Sequence, residues 1–332
     1  MAEALLTEVD TSEGAGAVDA PAPGGRPFWR RLRADRAALV AAAIVALLVV
    51  IALAAPLLSA LEGQNPTTFH PALVDSATGG VPIGSFGGIS GDHWLGVEPL
   101  TGRDLFARVV YGARVSLGVA LAATLLQVAI GTGIGLAAGL GNRYVDQALS
   151  RVTDVVVALP VMVIALGALA VVPAAFPRPV LIAVVVGLIG WSGISKIVRA
   201  QTLSLKSRDH VAAARLSGWN SWQIARRELL PALGAPVITY AVLLFPSNIV
   251  VEAALSFLGV GIKPPTPSWG QMLSDADTWY QAAPTYLLIP AVLLFVTVLA
   301  LTVLGEGVRT ALDPRAKSRL RIGTGRKKEA RA

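Results

Sequence analysis

The sequence predicts an all-α membrane protein that crosses the bilayer six times and keeps both termini in the cytoplasm. Three observations carry this prediction. First, 54% of the 332 residues are hydrophobic and only 15% are charged, whereas soluble domains carry roughly 25% charged residues. Second, six apolar runs reach about 18 residues, the length that crosses a bilayer. Third, the basic residues are concentrated on one side of those runs.

The six apolar runs give the predicted transmembrane helices. They cover residues 37–58, 115–139, 155–172, 180–197, 233–258 and 285–305. Pro160 interrupts the third run, and the fourth is barely long enough to span a bilayer. Proline lacks a backbone donor, so we expect bent or broken helices where three further prolines occur, at Pro236, Pro246 and Pro290.

Charge placement orients these helices and predicts a multi-pass protein of the cell membrane, in contact with lipid. With the N-terminus inside, the outer segments hold only five basic residues: Arg103, Arg108, Arg114, Arg178 and Lys263. All other Lys and Arg residues fall on cytoplasmic segments, as the positive-inside rule requires. The net charge of +7 therefore indicates orientation in a membrane and gives no reason to expect nucleic acid as a partner.

The chain divides into five predicted segments. Residues 1–25 contain five acidic side chains and no base, which predicts a disordered acidic cytoplasmic tail. Residues 26–60 hold an amphipathic segment at the inner leaflet, or only a stop-transfer charge cluster, followed by the first transmembrane helix. Residues 61–110 form an irregular external loop that ends in a short helix. Residues 111–312 form a five-helix core, and residues 313–332 are a basic cytoplasmic tail.

The chain carries no pattern that indicates covalent chemistry. Cysteine is absent and the three histidines lie far apart in sequence, so we expect no metal site. Neither a phosphate-binding GxxxxGK[ST] loop nor an HExxH motif occurs. We therefore expect a protein that is not an enzyme and that binds no cofactor itself.

Four glycines in the second run form a GTGIGLAAG stretch: Gly131, Gly133, Gly135 and Gly139. A dinucleotide-binding loop would follow a strand, but the surroundings here are an apolar helix. Small residues at helical spacing let two helices approach closely in lipid. We therefore expect this stretch to pack against another helix.

Three polar residues within or beside the runs are candidates for function. A charge at mid-bilayer costs about 2.5–3.5 kcal/mol on insertion scales, so it requires a reason. We expect Asp154 to be a boundary residue paired with a base. Glu252, with Asn248 one turn earlier, is either a polar clasp between helices or part of the lining of a passage.

The most informative polar segment is residues 207–231, which we call the elbow. It reads SRDHVAAARLSGWNSWQIARRELLP and lies between the fourth and fifth runs. We expect a helix that Gly218 interrupts, followed by a second helix that Pro231 ends. Two short helices about a glycine can bind a groove on another protein or rest on lipid headgroups, and composition favours neither.

The elbow resembles the EAA loop of binding-protein-dependent ABC importer permeases, which docks on an ATP-hydrolysing subunit. The resemblance rests on the three alanines at 212–214, on Gly218 after three further residues, and on Leu230–Pro231. It implies that the following residues couple the chain to an ATPase: Ala212, Ala213, Ala214, Arg215, Gly218, Trp219 and Pro231. Two positions depart from the family pattern, because Ala212 replaces the leading Glu and Glu228 replaces an Ile.

Further motifs are similar to the C-type subunit of the dipeptide, oligopeptide and nickel permease group. They occupy residues 93–120, 154–160, 191–206, 255–273 and 304–315. The resemblance implies the type I ABC importer permease fold and peptides as the favoured substrates. It also implies three kinds of partner: a B-type permease subunit in a heterodimer, two cytoplasmic ATPases that bind ATP and Mg, and an external solute-binding protein. Two alternatives stay open, namely an ion-driven secondary transporter using Glu252 and Asp154, and a non-transporting membrane scaffold.

Overall fold

A computed structural model describes residues 28–173 and 176–312. Within these residues the chain forms thirteen α-helices and one small sheet. The helices are α1 Phe28–Leu32, α2 Arg36–Leu53, α3 Ala55–Glu62, α4 Leu105–Leu140, α5 Arg143–Ala158, α6 Val161–Val171, α7 Arg178–Ile189, α8 Ser192–Leu205, α9 Asp209–Leu216, α10 Ser221–Ile224, α11 Leu230–Phe257, α12 Trp269–Ala276 and α13 Pro284–Leu312. The predicted tails, residues 1–25 and 313–332, lie outside the described residues.

Four helical segments are long and apolar enough to cross a membrane alone. They are α2, α4, the continuous helix Ser221–Phe257 that contains α11, and α13. Two helix pairs can supply the other two spans, because α5 with α6 and α7 with α8 pass the same test together. The pairs are bent by 82° and 42°, so the third and fourth predicted runs are not single straight helices. At the sharper bend, Pro160 removes the donor that would continue α5.

Two predicted boundaries near the start of the chain are wrong. The first run breaks at Ala54, where α2 ends and α3 begins with a proline in its first turn. The short helix predicted before residue 111 is the beginning of α4, which continues for 36 residues. Asp104 caps α4, because its Oδ1 accepts a hydrogen bond from the Ala107 N–H at 2.7 Å.

The prolines do not break the helices that contain them. Pro236 and Pro246 lie inside α11, and Pro290 lies inside α13. The prediction that Pro231 ends a helix is also wrong, since Pro231 occupies the first turn of α11. Residues Ala225–Leu229 just before it form a π-helical turn. That wider turn changes the hydrogen-bond register, so the missing donor of Pro231 falls where a new α-helical segment starts.

The glycines of α4 pack against another helix, as predicted, and that helix is α8. Gly133 is the exception among the four. A Cβ added to Gly135 would lie 2.5 Å from the Ser195 carbonyl oxygen, and one added to Gly139 would lie 2.6 Å from the Thr202 Cβ. Gly131 contacts Ile194 in the same way, whereas Gly133 has no neighbour within 4 Å. Because these contacts advance in the same direction along both helices, α4 and α8 are parallel.

This arrangement defines two ends of the molecule. We call the end at which α4 begins the outer end, and the end at which α4 and α8 finish the inner end. The elbow follows α8 and so lies at the inner end. The start of α13 packs beside the start of α4 through Tyr286 and Leu105, so α13 finishes at the inner end, where α1 packs on it through Leu32 and Ala311. Arg31 Nη1 donates a hydrogen bond to the Ala311 carbonyl at 3.4 Å.

The outer segment, residues 63–104, is folded onto the helices beneath it. Two short antiparallel strands, β1 Val74–Asp75 and β2 Val81–Pro82, form its sheet. A buried carboxylate, Glu98, holds the segment in place. Arg103 Nε lies 2.7 Å from Glu98 Oε2, Arg108 pairs with Glu98 Oε1, and the Tyr286 hydroxyl of α13 donates to Oε1 at 3.1 Å. These charges are buried, so mutual pairing is what offsets their desolvation.

Candidate functional site

The elbow turns sharply at a glycine whose backbone lies in the left-handed region, which favours glycine. Gly218 has φ +83°, immediately after α9. Its N–H donates to the Arg215 carbonyl at 3.0 Å, and the Trp219 N–H donates to the Ala214 carbonyl at 3.1 Å. This pair of bonds is the Schellman arrangement, which favours glycine at that position. The following α10 starts with a reciprocal capping box between Asn220 and Gln223.

One face of the elbow is anchored on the helix bundle. Val211 and Leu229 are both fully buried, and Ile224 is nearly so. They pack with residues of α4 and α8, including Leu136 and Val198. Burial of each such side chain contributes about 1.5–3 kcal/mol relative to exposure. The elbow is therefore held rigidly on the inner end of the bundle.

The opposite face of the elbow is free within the described chain. Ala212, Ala213 and Arg215 are exposed. Two large apolar side chains stand beside them, because Leu216 is 91% exposed and Trp222 is 68% exposed. We call these five residues the coupling surface. Sequence reasoning did not select Leu216 or Trp222 as site residues, although an apolar residue four positions after Ala212 shares its helical face.

The other predicted elbow residues brace the turn. Trp219 is half-buried, and the Arg227 guanidinium lies 5.3 Å from its ring centroid, a distance suited to a cation–π contact. Glu228, which departs from the family pattern, has its Oε2 3.9 Å from His210 Nε2. This contact joins α9 to the turn before α11. Ala212 stands where the family pattern has Glu, so this position contributes no charge to the coupling surface.

Glu252 and Asn248 lie one turn apart but belong to separate polar clusters. Glu252 is 1% exposed, and its Oε1 accepts a hydrogen bond from the Ser256 hydroxyl at 2.9 Å. The hydroxyls of Ser116 on α4 and Ser268 before α12 also face this carboxyl group. Both residues are enclosed between helices of this one chain.

Asn248 joins α11 to α4. Its Nδ2 donates to Thr124 Oγ1 at 2.8 Å and to Gln127 Oε1 at 2.9 Å. Gln127 Nε2 in turn donates to the Val186 carbonyl of α7 at 3.1 Å. The cluster therefore ties three helices together by hydrogen bonds, which are the polar contacts expected between helices in lipid.

The structure does not bring Asp154 near Glu252. Asp154 Oδ1 lies 2.9 Å from Lys196 Nζ, and both side chains are half exposed. Lys196 is adjacent to Ser195, which contacts Gly135, whereas Glu252 faces Ser116. The 19 residues that separate those two positions of α4 correspond to roughly 28 Å along the helix. The two carboxyl groups are therefore separate features and form no common site.

Comparison with known proteins decides the family. A family model described as "Binding-protein-dependent transport system inner membrane component" matches residues 129–318, more than half of the chain. The chain belongs to this family. A second model, for the N-terminal transmembrane domain of oligopeptide transport permease C, matches residues 25–72 of the permease.

Curated relatives extend the match over nearly the whole permease. A glutathione transport system permease protein of Pectobacterium atrosepticum is 34% identical over 88% of this chain and 92% of its own length. A dipeptide transport system permease protein of Alkalihalophilus pseudofirmus is 34% identical over 88% of this chain and 90% of its own. Among solved structures, a chain of the MetNI methionine ABC transporter aligns at 18% identity, with a TM-score of 0.48, over 62% of this chain and 96% of that one.

Family membership confirms several predictions made from the sequence. The chain is a mostly helical permease of the ABC importer kind, located in the inner membrane, and it works as the membrane-spanning component of a transport system. Such a component operates with ATPase and binding-protein partners. Transport is therefore the activity of its family.

Proposed function

We propose that this permease forms half of a translocation pathway for short peptides and receives its driving force through the coupling surface. The substrate class is supported by the relatives, whose names specify dipeptides and glutathione, itself a tripeptide. The route for the driving force is supported by the geometry of the elbow. The elbow is anchored on one face, free on the other, and located at the end away from the outer segment.

The exposed pair Leu216 and Trp222 is the observation that carries this proposal. Two large apolar side chains exposed on a rigid, otherwise polar turn have no stabilising role in the isolated chain. Exposed tryptophan side chains fill pockets at protein interfaces, and the apolar face of a short amphipathic helix binds a hydrophobic groove on a partner. Arg215 beside them adds a cation that an acidic rim can pair with. The partner that fits is a cytoplasmic ATPase subunit with an apolar groove.

The remaining partners follow from the same assignment. The elbow and both described ends of the chain would then face the cytoplasm, and the outer segment would face the solute-binding protein. A B-type permease subunit would supply the other half of the pathway as a heterodimer. Two ATPase subunits would bind ATP and Mg, which this chain would not bind itself.

The buried polar residues have a structural role in this proposal. Glu252 and Asn248 clasp α4, α7, α11 and α12 into one unit that moves as a body. Asp154 forms a surface ion pair with Lys196, of the kind that contributes little stability. Neither carboxylate is then a coupling site for an ion gradient.

The test is ATP-dependent uptake in proteoliposomes that contain the full complex. Trp222→Ala should lower retention of the ATPase subunits, since loss of a central aromatic side chain costs about 2 kcal/mol or more at an interface, and uptake should fall in parallel. Trp29→Ala is the matched control, because Trp29 is also at the inner end and is 66% exposed.

Three outcomes would contradict the proposal. Uptake that follows an ion gradient without ATP would identify a secondary transporter. A complex that assembles without ATPase subunits and moves no solute would identify a scaffold. Equal ATPase retention by the Trp222 and Trp29 variants would show that the coupling surface is elsewhere. Competition by dipeptides, tripeptides and nickel complexes then tests the substrate class separately.

A further inference from the structure

A cluster of titratable side chains lies at the outer end, apart from the coupling surface; its His93 and Asp104 are buried, and its Glu62 is half-buried. Glu62 is the last residue of α3, and its Oε1 accepts a hydrogen bond from the Trp94 N–H at 2.8 Å. Its other oxygen, Oε2, is buried and receives no donor from the described residues. The carboxyl group of Asp104 faces this side chain. Two carboxylate oxygens are both acceptors, so they can bond to each other only when one of them carries a proton.

Both carboxylate oxygens of Asp104 already have partners. The residue is fully buried, and its Oδ1 accepts the Ala107 N–H at 2.7 Å as the cap of α4. Its Oδ2 lies 2.8 Å from His93 Nδ1. Glu62, which has only one donor, is therefore the group that holds the proton.

The surroundings offer little other compensation for a second negative charge. The groups that face the pair are His93 and, behind it, His70, whose ring centroid is 5.3 Å from that of His93. The nearby cations Arg103 and Arg108 are already paired with Glu98. Asp92, next to His93, is exposed. Ionisation of Glu62 therefore places two carboxylates together with only imidazole to balance them.

We propose that Glu62, Asp104 and His93 form a proton-dependent latch. The latch holds residues 92–97 against the C-terminal end of α3 and the N-terminal end of α4. In acid the Glu62 carboxyl donates its proton to Asp104 and the latch is closed. At alkaline pH the two carboxylates repel and this part of the outer segment opens.

The titration of Glu62 agrees with this geometry. Burial, followed by the proximity of Asp104, raises the pKa of Glu62 from its ordinary value of 4.5 to about 7. The closed latch therefore binds more protons than the open one between these two values. Closure is fully favoured below pH 4.5, weakens as the pH rises through the interval, and is weakest above about pH 7.

Glu62→Gln gives a direct test, because the glutamine amide reproduces the protonated carboxyl group at every pH. Its oxygen can accept the Trp94 N–H, and its NH₂ can donate to Asp104. The chain contains no cysteine, so a single Val97→Cys replacement reports opening by maleimide labelling in the reconstituted complex. Val97 is 2% exposed and pairs with Asp104 across a backbone bridge.

The labelling rate of Val97→Cys alone is divided by the rate of Val97→Cys with Glu62→Gln at each pH, which cancels the titration of the thiol. We expect this ratio to rise about 30-fold between roughly pH 5.5 and 8.5, because pH 5.5 lies about 1.5 units below the closed-latch pKa of about 7. Asp277→Asn, which removes an exposed outer carboxylate, should leave the rise unchanged. A ratio that is constant with pH would overturn the proposal.

Hydrogen exchange provides an independent measurement should the cysteine variant fail to assemble. In the cysteine-free complex, corrected exchange of amides 92–105 should increase with pH, and Glu62→Gln should abolish the increase. Exchange that increases equally in both proteins would overturn the proposal as firmly as constant labelling.

Discussion

Replacing Gly218 is the sharpest perturbation of the coupling mechanism. Its φ of +83° belongs to the left-handed region, and a Cβ at this position would meet no heavy atom within 4 Å. A side chain is therefore tolerated by the surroundings, and the penalty comes from the backbone alone. Valine incurs the full conformational penalty, because β-branched residues are the least compatible with the left-handed region.

The size of the expected effect follows from the free-energy cost of the left-handed backbone conformation. A non-glycine residue in the left-handed region costs roughly 1–2 kcal/mol, which changes the population of the native turn by about 5–30-fold. The Schellman bonds of Gly218 and Trp219 would be lost in the rearranged turn. The buried face of the elbow, including Val211 and Leu229, is unaffected. We expect Gly218→Val to insert and assemble but to couple poorly.

The assay is the number of ATP molecules hydrolysed per solute imported, measured in proteoliposomes. This ratio should rise for Gly218→Val while the ATPase rate stays comparable. Gly218→Asn is the control, because asparagine adds a side chain of similar bulk yet tolerates the left-handed region, and it should stay near the parent ratio. If Gly218→Val imports with unchanged stoichiometry, the turn at residue 218 does not transmit force.

Two further predictions concern the helix bundle. Glu252→Gln should leave assembly and thermal stability of the complex nearly unchanged, because the amide can still bond to the surrounding serine hydroxyls; a collapse of the complex would show that the negative charge is required. Gly135→Val should destabilise the permease by about 1–3 kcal/mol through overpacking against Ser195, measured as a lowered melting temperature. Gly133→Val has open space and should melt like the parent, and equal melting of the two variants would contradict the α4–α8 packing.

The local features of the fold could be predicted from sequence because local physics determines them. The turn at Gly218 follows from the glycine after a helical stretch. The small residues four apart predicted that α4 packs closely against another helix, and the structure identifies that helix as α8. The transmembrane helices were located from the length of the apolar runs. The elbow was located by its polarity between two such spans.

Features that depend on distant contacts could not be predicted. The first turns of α4 carry polar residues that resemble a loop in sequence, yet Arg108 is buried because Glu98 and Gln271 pair with it. Asn248 and Glu252 are adjacent on one helix, but the helices facing them differ. Their separation into two clusters depends on packing that periodicity does not specify.

Cross-linking from the coupling surface tests the central claim most directly. Because the chain lacks cysteine, Ala213→Cys places a single thiol on the exposed face of α9. In membranes that contain the whole transporter, a short thiol-reactive photo-cross-linker at this position should capture the ATPase subunit. A matched thiol at the outer end, Asp92→Cys, should not capture it. Capture of lipid alone from residue 213, in a complex that still hydrolyses ATP and imports solute, would contradict the account.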